Sequence, residues 1–195
     1  MGHRAKSNRP EDCTFVGKGG MKLAFALSHF HIDVNNKIAA DLGSHQGGFV
    51  DCLLQNHAQK VYSVDTCYGT LAWKLRQDSR VVLYERTNAL HWRAPEPLDI
   101  ITIDVGWTKQ EHIIPAASRF LKPSGEILSL LKSQYEMKDK NKRVLSQEEV
   151  LEVAKSLFSF FKEKFQKVEY EFSPYPGSAG NLEVWFHLSG MQRSC

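Results

Sequence analysis

Short apolar runs alternate with amphipathic segments along most of this chain. The apolar runs are typical of strands in a sheet that is covered on both faces, and the segments between them have the spacing of helices. Strands are predicted at residues 38–42, 61–65, 81–84, 98–104 and 126–131. Helices are predicted from Gly19 onward, across 47–56 and 70–77, and up to about Phe120.

The C-terminal part of the chain has clear start and stop signals. Ser146 and Glu149 form a capping box, since each side chain can satisfy a backbone N–H group at the start of a helix. The apolar stripe that follows predicts a helix that continues to Phe165. Two last strands, 167–172 and 182–188, flank a loop rich in proline and glycine and therefore predict a hairpin. Upstream, the Lys-Pro-Ser-Gly sequence at 122–125 predicts a turn.

Regular alternation of strands and helices predicts an α/β fold. We expect a seven-stranded, mostly parallel sheet with helices on both faces and a C-terminal antiparallel hairpin strand. One domain should cover residues 15–190, with Trp73 and Trp185 in its core. Residues 1–14 are polar and lack periodicity, which predicts a flexible basic arm.

Composition and charge narrow the class of protein. The chain has 195 residues, of which 42% are apolar, and a net charge of +3, as expected of one globular domain. Its apolar runs are too short to span a bilayer and its N-terminus lacks a secretory signal, so a cytoplasmic protein without a membrane partner is expected. The four cysteines have no ligand spacing, which predicts free thiols and no metal site. Lysines and arginines group at 4–22 and 132–143, where they could bind RNA or be ordinary solvated side chains.

Charged residues stand where the predicted strands end. In an open parallel sheet, ligands bind beyond the carboxyl ends of the strands. Asp41 and Asp65 lie at the ends of the first two strands, Asp104 ends the fourth, and Lys132 follows the fifth. An antiparallel last strand would begin at the same edge, which brings Glu183 to this group. The sequence therefore predicts a ligand-binding site at the edge of the sheet where these strands end.

The segment from Asp41 to Gly48 joins a strand to a helix and contains three glycines. Glycine lets a ligand approach the backbone closely, but the pattern is not G-x-G-x-x-G and gives little support to a dinucleotide. Asp65 lies 22 residues beyond Gly43, close to the spacing of about 20 at which an acidic residue binds ribose hydroxyls. This pairing predicts an adenosine ligand without a pyrophosphate, such as S-adenosyl-L-methionine. The alternative is a glycine-rich turn beside a surface aspartate.

Several motifs, in order from Phe15 to Leu188, carry a resemblance to a known family. They are FVGKGGMKL at 15–23, ADLGSHQGGF at 40–49, DCLL at 51–54, YGTLAWKLR at 68–76, ERTNA at 85–89, LKPSGE at 121–126 and LKSQYE at 131–136. The chain resembles the TlyA (hemolysin A)-like members of the FtsJ-like RNA ribose 2′-O-methyltransferases. The resemblance implies a Rossmann-like class I methyltransferase fold, S-adenosyl-L-methionine as cofactor, and RNA as substrate, with ribosomal RNA expected and transfer RNA as the alternative.

The resemblance also implies site residues. The family's Lys-Asp-Lys-Glu catalytic set falls on Lys22, Asp104, Lys132 and Glu183, with Lys132 as general base. Lys22 rests on the resemblance alone. The predicted cofactor-binding residues are Asp41, Gly43, Ser44, Gly47, Gly48, Phe49, Asp65, Tyr68, Asn88 and Asp104. For Tyr68 the simpler alternative is packing, and for Asn88 it is a turn.

The chain also departs from the family's pattern. Ser133 replaces a proline, and Val105-Gly106-Trp107-Thr108 replaces the usual Ser-Phe-Ile stretch after Asp104. Trp107 could stack on a splayed base or simply pack. The family's N-terminal S4 RNA-binding domain is not expected here, so RNA affinity should come from the arm, the basic segments or a partner. An impaired protein that only binds RNA and cofactor is therefore an alternative function. A membrane-active hemolysin and a methyltransferase of proteins or small molecules have less support.

Overall fold

A computed structural model describes residues 14–137, 144–177 and 180–192. Within them the strands are Ile38–Leu42 (β1), Lys60–Val64 (β2), Val81–Tyr84 (β3), Leu98–Ile103 (β4), Leu121–Leu131 (β5), Phe165–Phe172 (β6) and Val184–Met191 (β7). The α-helices are Gly19–His29 (α1), Gly48–Gln55 (α2), Trp73–Arg76 (α3), Gln110–Ser118 (α4) and Gln147–Lys162 (α5). A 3₁₀ turn, Ser133–Tyr135, follows β5.

The strands form one sheet in the order β3-β2-β1-β4-β5-β7-β6. Pairing is parallel from β3 to β5, whereas β7 runs antiparallel to both β5 and β6. This confirms the predicted mostly parallel sheet with an antiparallel strand from the C-terminal hairpin. The order reverses between β1 and β4, which is where doubly wound folds bind ligands.

Two hydrophobic clusters cover the two faces of the sheet. Because side chains alternate along a strand, Ala39 joins one cluster and Ala40 the other. Helices α1 and α2 pack on the Ala39 face, and α4 and α5 pack on the Ala40 face. Trp185 in β7 is fully buried, as predicted.

The capping box confirms the predicted start of α5. The Ser146 hydroxyl accepts a hydrogen bond from the backbone N–H of Glu149 (3.3 Å), and the Glu149 carboxylate accepts one from the N–H of Ser146 (2.8 Å). The predicted end was wrong, because Phe165 opens β6 instead of closing the helix. Its ring is buried beside that of Phe161, so one apolar stripe runs across the helix–strand boundary.

Two other local predictions were wrong. Residues 122–125 do not form a turn before β5 but belong to the strand itself. They form a β-bulge opposite Asp99, because Leu98 pairs with Leu121 whereas Ile100 pairs with Glu126. Trp73 is 73% exposed and outside the core, because α3 has only four residues and buries Leu75 alone.

The predicted basic arm, apart from Thr14, lies outside the described residues, as do the basic side chains at 138–143. None of the helices in the described ranges combines the length and the apolar character needed to cross a membrane.

Candidate active site

The parallel strands bring the predicted charged residues to one edge of the sheet. Asp41 lies within β1, while Asp65, Asp104 and Lys132 directly follow β2, β4 and β5. Glu183 directly precedes the antiparallel β7 and so reaches the same edge from the opposite chain direction.

Four charged side chains form two ion pairs at this edge. The Lys132 Nζ atom lies 2.5 Å from Asp104 Oδ1, and the Lys22 Nζ atom lies 2.5 Å from Glu183 Oε2. The four groups come from α1, the β4–α4 loop, the end of β5 and the start of β7. The structure therefore brings together the whole Lys-Asp-Lys-Glu set, including Lys22, which strand topology alone did not indicate.

The two ion pairs differ in exposure. Lys132 and Asp104 are partly exposed, whereas the Glu183 side chain is 2% exposed. Gly177 packs against it so closely that a Cβ atom there would lie 2.1 Å from Glu183 Oε1. The Lys22–Glu183 pair is thus enclosed, and the Lys132–Asp104 pair faces the solvent side of the site.

Burial and charge set the protonation of both pairs. Burial alone would lower the pKa of Lys132, but attraction to Asp104, their hydrogen bond and the nearby Glu183 outweigh it, so the pKa is raised. Burial raises the pKa of the Glu183 carboxyl, and Lys22 opposes part of that rise. Lys132 is therefore a charged ammonium group at neutral pH in this form of the protein.

The loop between β1 and α2 lies against the Asp104 backbone. Gly43 has a φ of +92°, and a Cβ atom there would lie 2.5 Å from the Asp104 carbonyl oxygen. Gly47 has a φ of +93°, and its Cβ atom would overlap the side chains of Leu71 and Leu75. Both positions favour glycine for backbone conformation, and Gly43 requires it for space as well, because its neighbour there is backbone.

Asp65, which directly follows β2, holds the loop between β1 and α2 in place. Its Oδ2 atom accepts a hydrogen bond from the backbone N–H of His45, and its Oδ1 atom accepts one from Cys67, both at 2.7 Å. His45 has a φ of +46°, so this contact supports a conformation that side-chain-bearing residues rarely adopt. Asp65 therefore positions the loop as well as facing a cavity.

Two cavities adjoin at this edge, and Gly43 and Asp104 line both. The smaller, of about 170 Å³, is also lined by the predicted residues Asp41, Ser44, Gly48 and Phe49. The larger, of about 510 Å³, is also lined by the predicted residues Asp65, Asn88 and Lys132.

Asp41 is the buried carboxyl group beside the smaller cavity. It is 1% exposed; its Oδ1 atom accepts a hydrogen bond from Thr102 (2.8 Å), while its Oδ2 atom has no hydrogen-bond partner among the described residues. Burial raises the pKa of Asp41 to about 7, against the lowering effect of Thr102. A buried polar atom without a partner is costly, so this oxygen is suited to a ligand that donates a hydrogen bond.

Two predicted cofactor-binding residues, Gly47 and Tyr68, line neither cavity. Gly47 packs against Leu71 and Leu75, and Tyr68 is 66% exposed. Asn88 lines the larger cavity, but its Oδ1 atom accepts a hydrogen bond from the backbone N–H of Leu90 (2.9 Å), so it also forms the turn that was its alternative role.

Sequence reasoning from strand ends missed part of the cavity walls. Gly17, Lys18 and Gly19 line the smaller cavity, and a Cβ atom at Gly48 would lie 2.8 Å from the backbone nitrogen of Gly20. The glycine-rich stretch at 17–20, where α1 begins, was the available signal, since close approach of two chain segments requires small residues. Trp107, which lines the larger cavity, is 78% exposed, with its ring centroid 4.9 Å from that of Tyr135.

The order and direction of the strands define a Rossmann-like α/β fold. The N-methyltransferase NodS from Bradyrhizobium japonicum shares the fold, with a TM-score of 0.60 at 15% identity over 88% of this chain and 93% of that one. The chain belongs to the FtsJ-like methyltransferase family, whose sequence profile matches residues 15–189.

Relatives within the family are more similar. YqxC of Bacillus subtilis, named as a candidate rRNA methyltransferase, is 39% identical over 89% of this chain and 65% of its own length. The chain thus spans less than two thirds of that relative. TlyA of Mycobacterium tuberculosis, a 16S/23S rRNA (cytidine-2′-O)-methyltransferase, is 33% identical over 89% of this chain and 68% of its own. A hemolysin candidate from Streptococcus thermophilus has a solved structure with a TM-score of 0.86 and 31% identity, covering 94% of this chain and 70% of that one.

Proposed function

We propose that this protein transfers a methyl group from S-adenosyl-L-methionine to a ribose 2′-hydroxyl of RNA, and that the RNA is ribosomal. The observation that carries the proposal is the Lys132–Asp104 ion pair at the wall of the larger cavity, with the Lys22–Glu183 pair at the same edge of the sheet. The names of the relatives TlyA and YqxC support ribosomal RNA as the substrate.

The two cavities suit the two ends of the proposed cofactor. The smaller cavity presents the unpartnered Asp41 oxygen, which can accept a hydrogen bond from the cofactor's ammonium group. The larger one presents Asp65, whose carboxylate can accept from ribose hydroxyls. Gly43 and Gly48 line the cavities, and their lack of side chains lets the backbones of Asp104 and Gly20 approach closely and complete the walls.

The chain's own residues would orient and deprotonate the ribose hydroxyl. When bound, S-adenosyl-L-methionine supplies a methyl group on a positively charged sulfonium. Asp104 holds the Lys132 Nζ atom in place at 2.5 Å. Lys132 must be neutral to accept a proton, so the ammonium found here first has to release its proton to water, which the partly exposed Lys132–Asp104 pair can reach. A second positive charge bound nearby lowers the pKa of a lysine and favours that loss.

The Lys22–Glu183 pair would provide the fixed part of the site. Glu183 is buried, lines neither cavity and pairs with Lys22 at 2.5 Å, so it would act through its attraction to Lys22 and Lys132 and not by touching the ribose. Alignment of the target hydroxyl contributes roughly 7–11 kcal/mol in favourable cases. The division of roles is therefore positioning of the lysines by Glu183 and Asp104, and proton transfer by Lys132.

The test compares wild type with Lys132→Ala in transfer of labelled methyl groups to ribosomal RNA from cells that lack this gene. We expect alkali-resistant 2′-O-methyl nucleotides with wild type, and a loss of about 10²–10⁴-fold with Lys132→Ala. Lys122→Ala is the matched control, because Lys122 pairs with Asp99 (2.8 Å) at the opposite end of the sheet and should leave the rate unchanged. Cofactor binding without any RNA methylation by wild type would instead support a protein that only binds RNA and cofactor.

A further inference from the structure

The largest exposed aromatic side chains of the described residues lie at the edge of the sheet that holds the candidate site. They are Tyr68, Trp73 and Trp107, with exposed fractions of 66%, 73% and 78%. Trp107 belongs to the wall of the larger cavity. Tyr68 and Trp73 line neither cavity and are not used by the proposed reaction. Several exposed aromatic rings at one edge, unlike single scattered ones, are typical of a binding surface.

Tyr68 forms a stacked pair with an arginine. The Arg86 guanidinium carbon lies 4.5 Å from the centroid of the Tyr68 ring. Arg86 is itself exposed and has a φ of +52°, so the chain holds it over the ring in a conformation that arginine rarely adopts. The pair presents one cation and a largely open ring to solvent.

The Tyr68–Arg86 pair is fixed to the protein through Glu85. This carboxylate accepts two hydrogen bonds from the Arg76 guanidinium (2.5 and 3.0 Å) and one from the backbone N–H of Gly69 (2.7 Å). A Cβ atom at Gly69 would have no neighbour within 4 Å, so the loop at Tyr68 faces open space. The pair is therefore held in place yet uncovered.

Trp73 lies on the helix that supplies Arg76. Residues three apart share a helix face, so Trp73 lies on the side of α3 that carries Arg76. The backbone N–H of Ala72 donates to the carbonyl of Gln46 (3.1 Å), which fastens the start of α3 to the loop between β1 and α2. Trp73 is thus anchored beside the candidate site although its own ring is uncovered.

We propose that Tyr68, Arg86 and Trp73, which we term the aromatic patch, bind the single-stranded RNA that flanks the target nucleotide. This proposal rests on the proposed function, because it assumes an RNA substrate. The patch lies next to the larger cavity: Thr66 and Thr87 line the cavity, and each lies within two residues of a patch residue. RNA whose target ribose reaches Lys132 at this edge of the sheet would bring its flanking nucleotides near the patch.

The chemistry of the patch matches unpaired RNA better than a duplex. Exposed rings stack on bases of any identity, and arginine can stack on bases or bind phosphate. In an RNA duplex the bases are already stacked, and the groove offers no ring-sized gap. The patch therefore selects an unpaired segment around the target without reading its sequence.

The test measures binding of a short oligocytidylate with the cofactor pocket saturated by S-adenosylhomocysteine. We expect Tyr68→Ala, Trp73→Ala and Arg86→Ala each to weaken binding by about 5- to 50-fold, in the range of one lost stacking contact. The oligocytidylate duplexed with oligoguanylate should bind equally to wild type, Tyr68→Ala and Trp73→Ala, because a duplex offers no unstacked base to these rings. All three side chains are exposed, so the variants should fold normally.

Lys164→Ala is the matched control. The Lys164 Nζ atom also lies over an aromatic ring, that of Phe160 at 4.6 Å, but it stands before β6 at the opposite end of the sheet. Its removal should not change oligocytidylate binding beyond twofold. An equal loss with Lys164→Ala would show a general charge effect and overturn the proposal.

Two further results would overturn the proposal in different ways. Unchanged oligocytidylate binding by the three patch variants would show that the patch does not contact RNA. Weaker binding of S-adenosylhomocysteine by Tyr68→Ala, with unchanged RNA binding, would place Tyr68 in the cofactor site. Neither result depends on methyl transfer, so failure of the patch is distinguishable from failure of the proposed reaction.

Discussion

The packing of Gly43 against Asp104 allows a sharp test of how the site is built. In Gly43→Ala the new Cβ atom would lie 2.5 Å from the Asp104 carbonyl oxygen and 2.9 Å from its carbonyl carbon. Both neighbours are backbone atoms, so neither can rotate away. The substitution must therefore move Asp104, whose side chain pairs with Lys132.

Two costs add up in Gly43→Ala. A φ of +92° costs a side-chain-bearing residue about 1–2 kcal/mol, and the overlap should cost about 1–3 kcal/mol more. Gly69→Ala is the matched control, because its φ is +72° but its Cβ atom would meet nothing within 4 Å. The difference between the two variants isolates the overlap.

Urea unfolding and S-adenosylhomocysteine binding measure the two effects. We expect Gly43→Ala to unfold at about 0.5–1.5 M lower urea than Gly69→Ala, for a slope of about 2 kcal/mol/M. Gly43 also lines both cavities, so its variant should bind S-adenosylhomocysteine at least tenfold more weakly while Gly69→Ala stays within twofold. Equal stability and equal binding of the two variants would refute the packing argument.

Three further predictions concern the carboxylates. Asp65→Ala removes the acceptor of two backbone N–H groups and should weaken S-adenosylhomocysteine binding by about tenfold or more, measured by calorimetry; unchanged binding would contradict the role of Asp65. Burial raises the pKa of Asp41 to about 7, so between pH 4 and 7 the folded protein keeps a proton that the unfolded chain releases, and stability falls as pH rises. Asp41→Asn should remove this loss, which reaches up to about 4 kcal/mol, and a stability difference from wild type that stays constant from pH 5 to 8 would refute the assignment. Glu183→Gln leaves Lys22 beside a neutral, enclosed partner, so it should lower the free energy of unfolding in urea by about 3 kcal/mol and also reduce methyl transfer; wild-type stability would mean that Glu183 is more exposed than its 2% side-chain accessibility indicates.

The local sequence pattern was sufficient to predict the bounds of an element wherever residues close together in the chain decided them. The predicted bounds of β1 and β3 agree with the structure, because a buried strand is marked by its own apolar run. The start of α5 agrees as well, because the capping box acts within four residues. The order of the elements then determined the parallel sheet, and with it the edge at which Asp104, Lys132 and Glu183 meet.

Local pattern failed where neighbours from elsewhere in the chain decided the outcome. Phe165 continues the apolar stripe of α5, yet it lies in β6 because pairing with β7 supplies its backbone hydrogen bonds. Trp73 is large and apolar like a core residue, but α3 has only four residues and buries Leu75 instead, so Trp73 is exposed. Neither outcome can be derived from spacing along the chain.

By itself, then, the sequence determined the class of fold, the edge of the sheet at which the strands end and most of the candidate site, because these follow from periodicity, topology and recognisable motifs. Tertiary structure alone decided that Lys22 reaches Glu183 across 161 positions of sequence. It also decided that Lys132 is held as a cation, and that Tyr68 stands outside the cavities beside Arg86. Ion pairing, desolvation and exposure depend on distances between residues far apart in the chain, and those distances exist only once the sheet and its helices have packed.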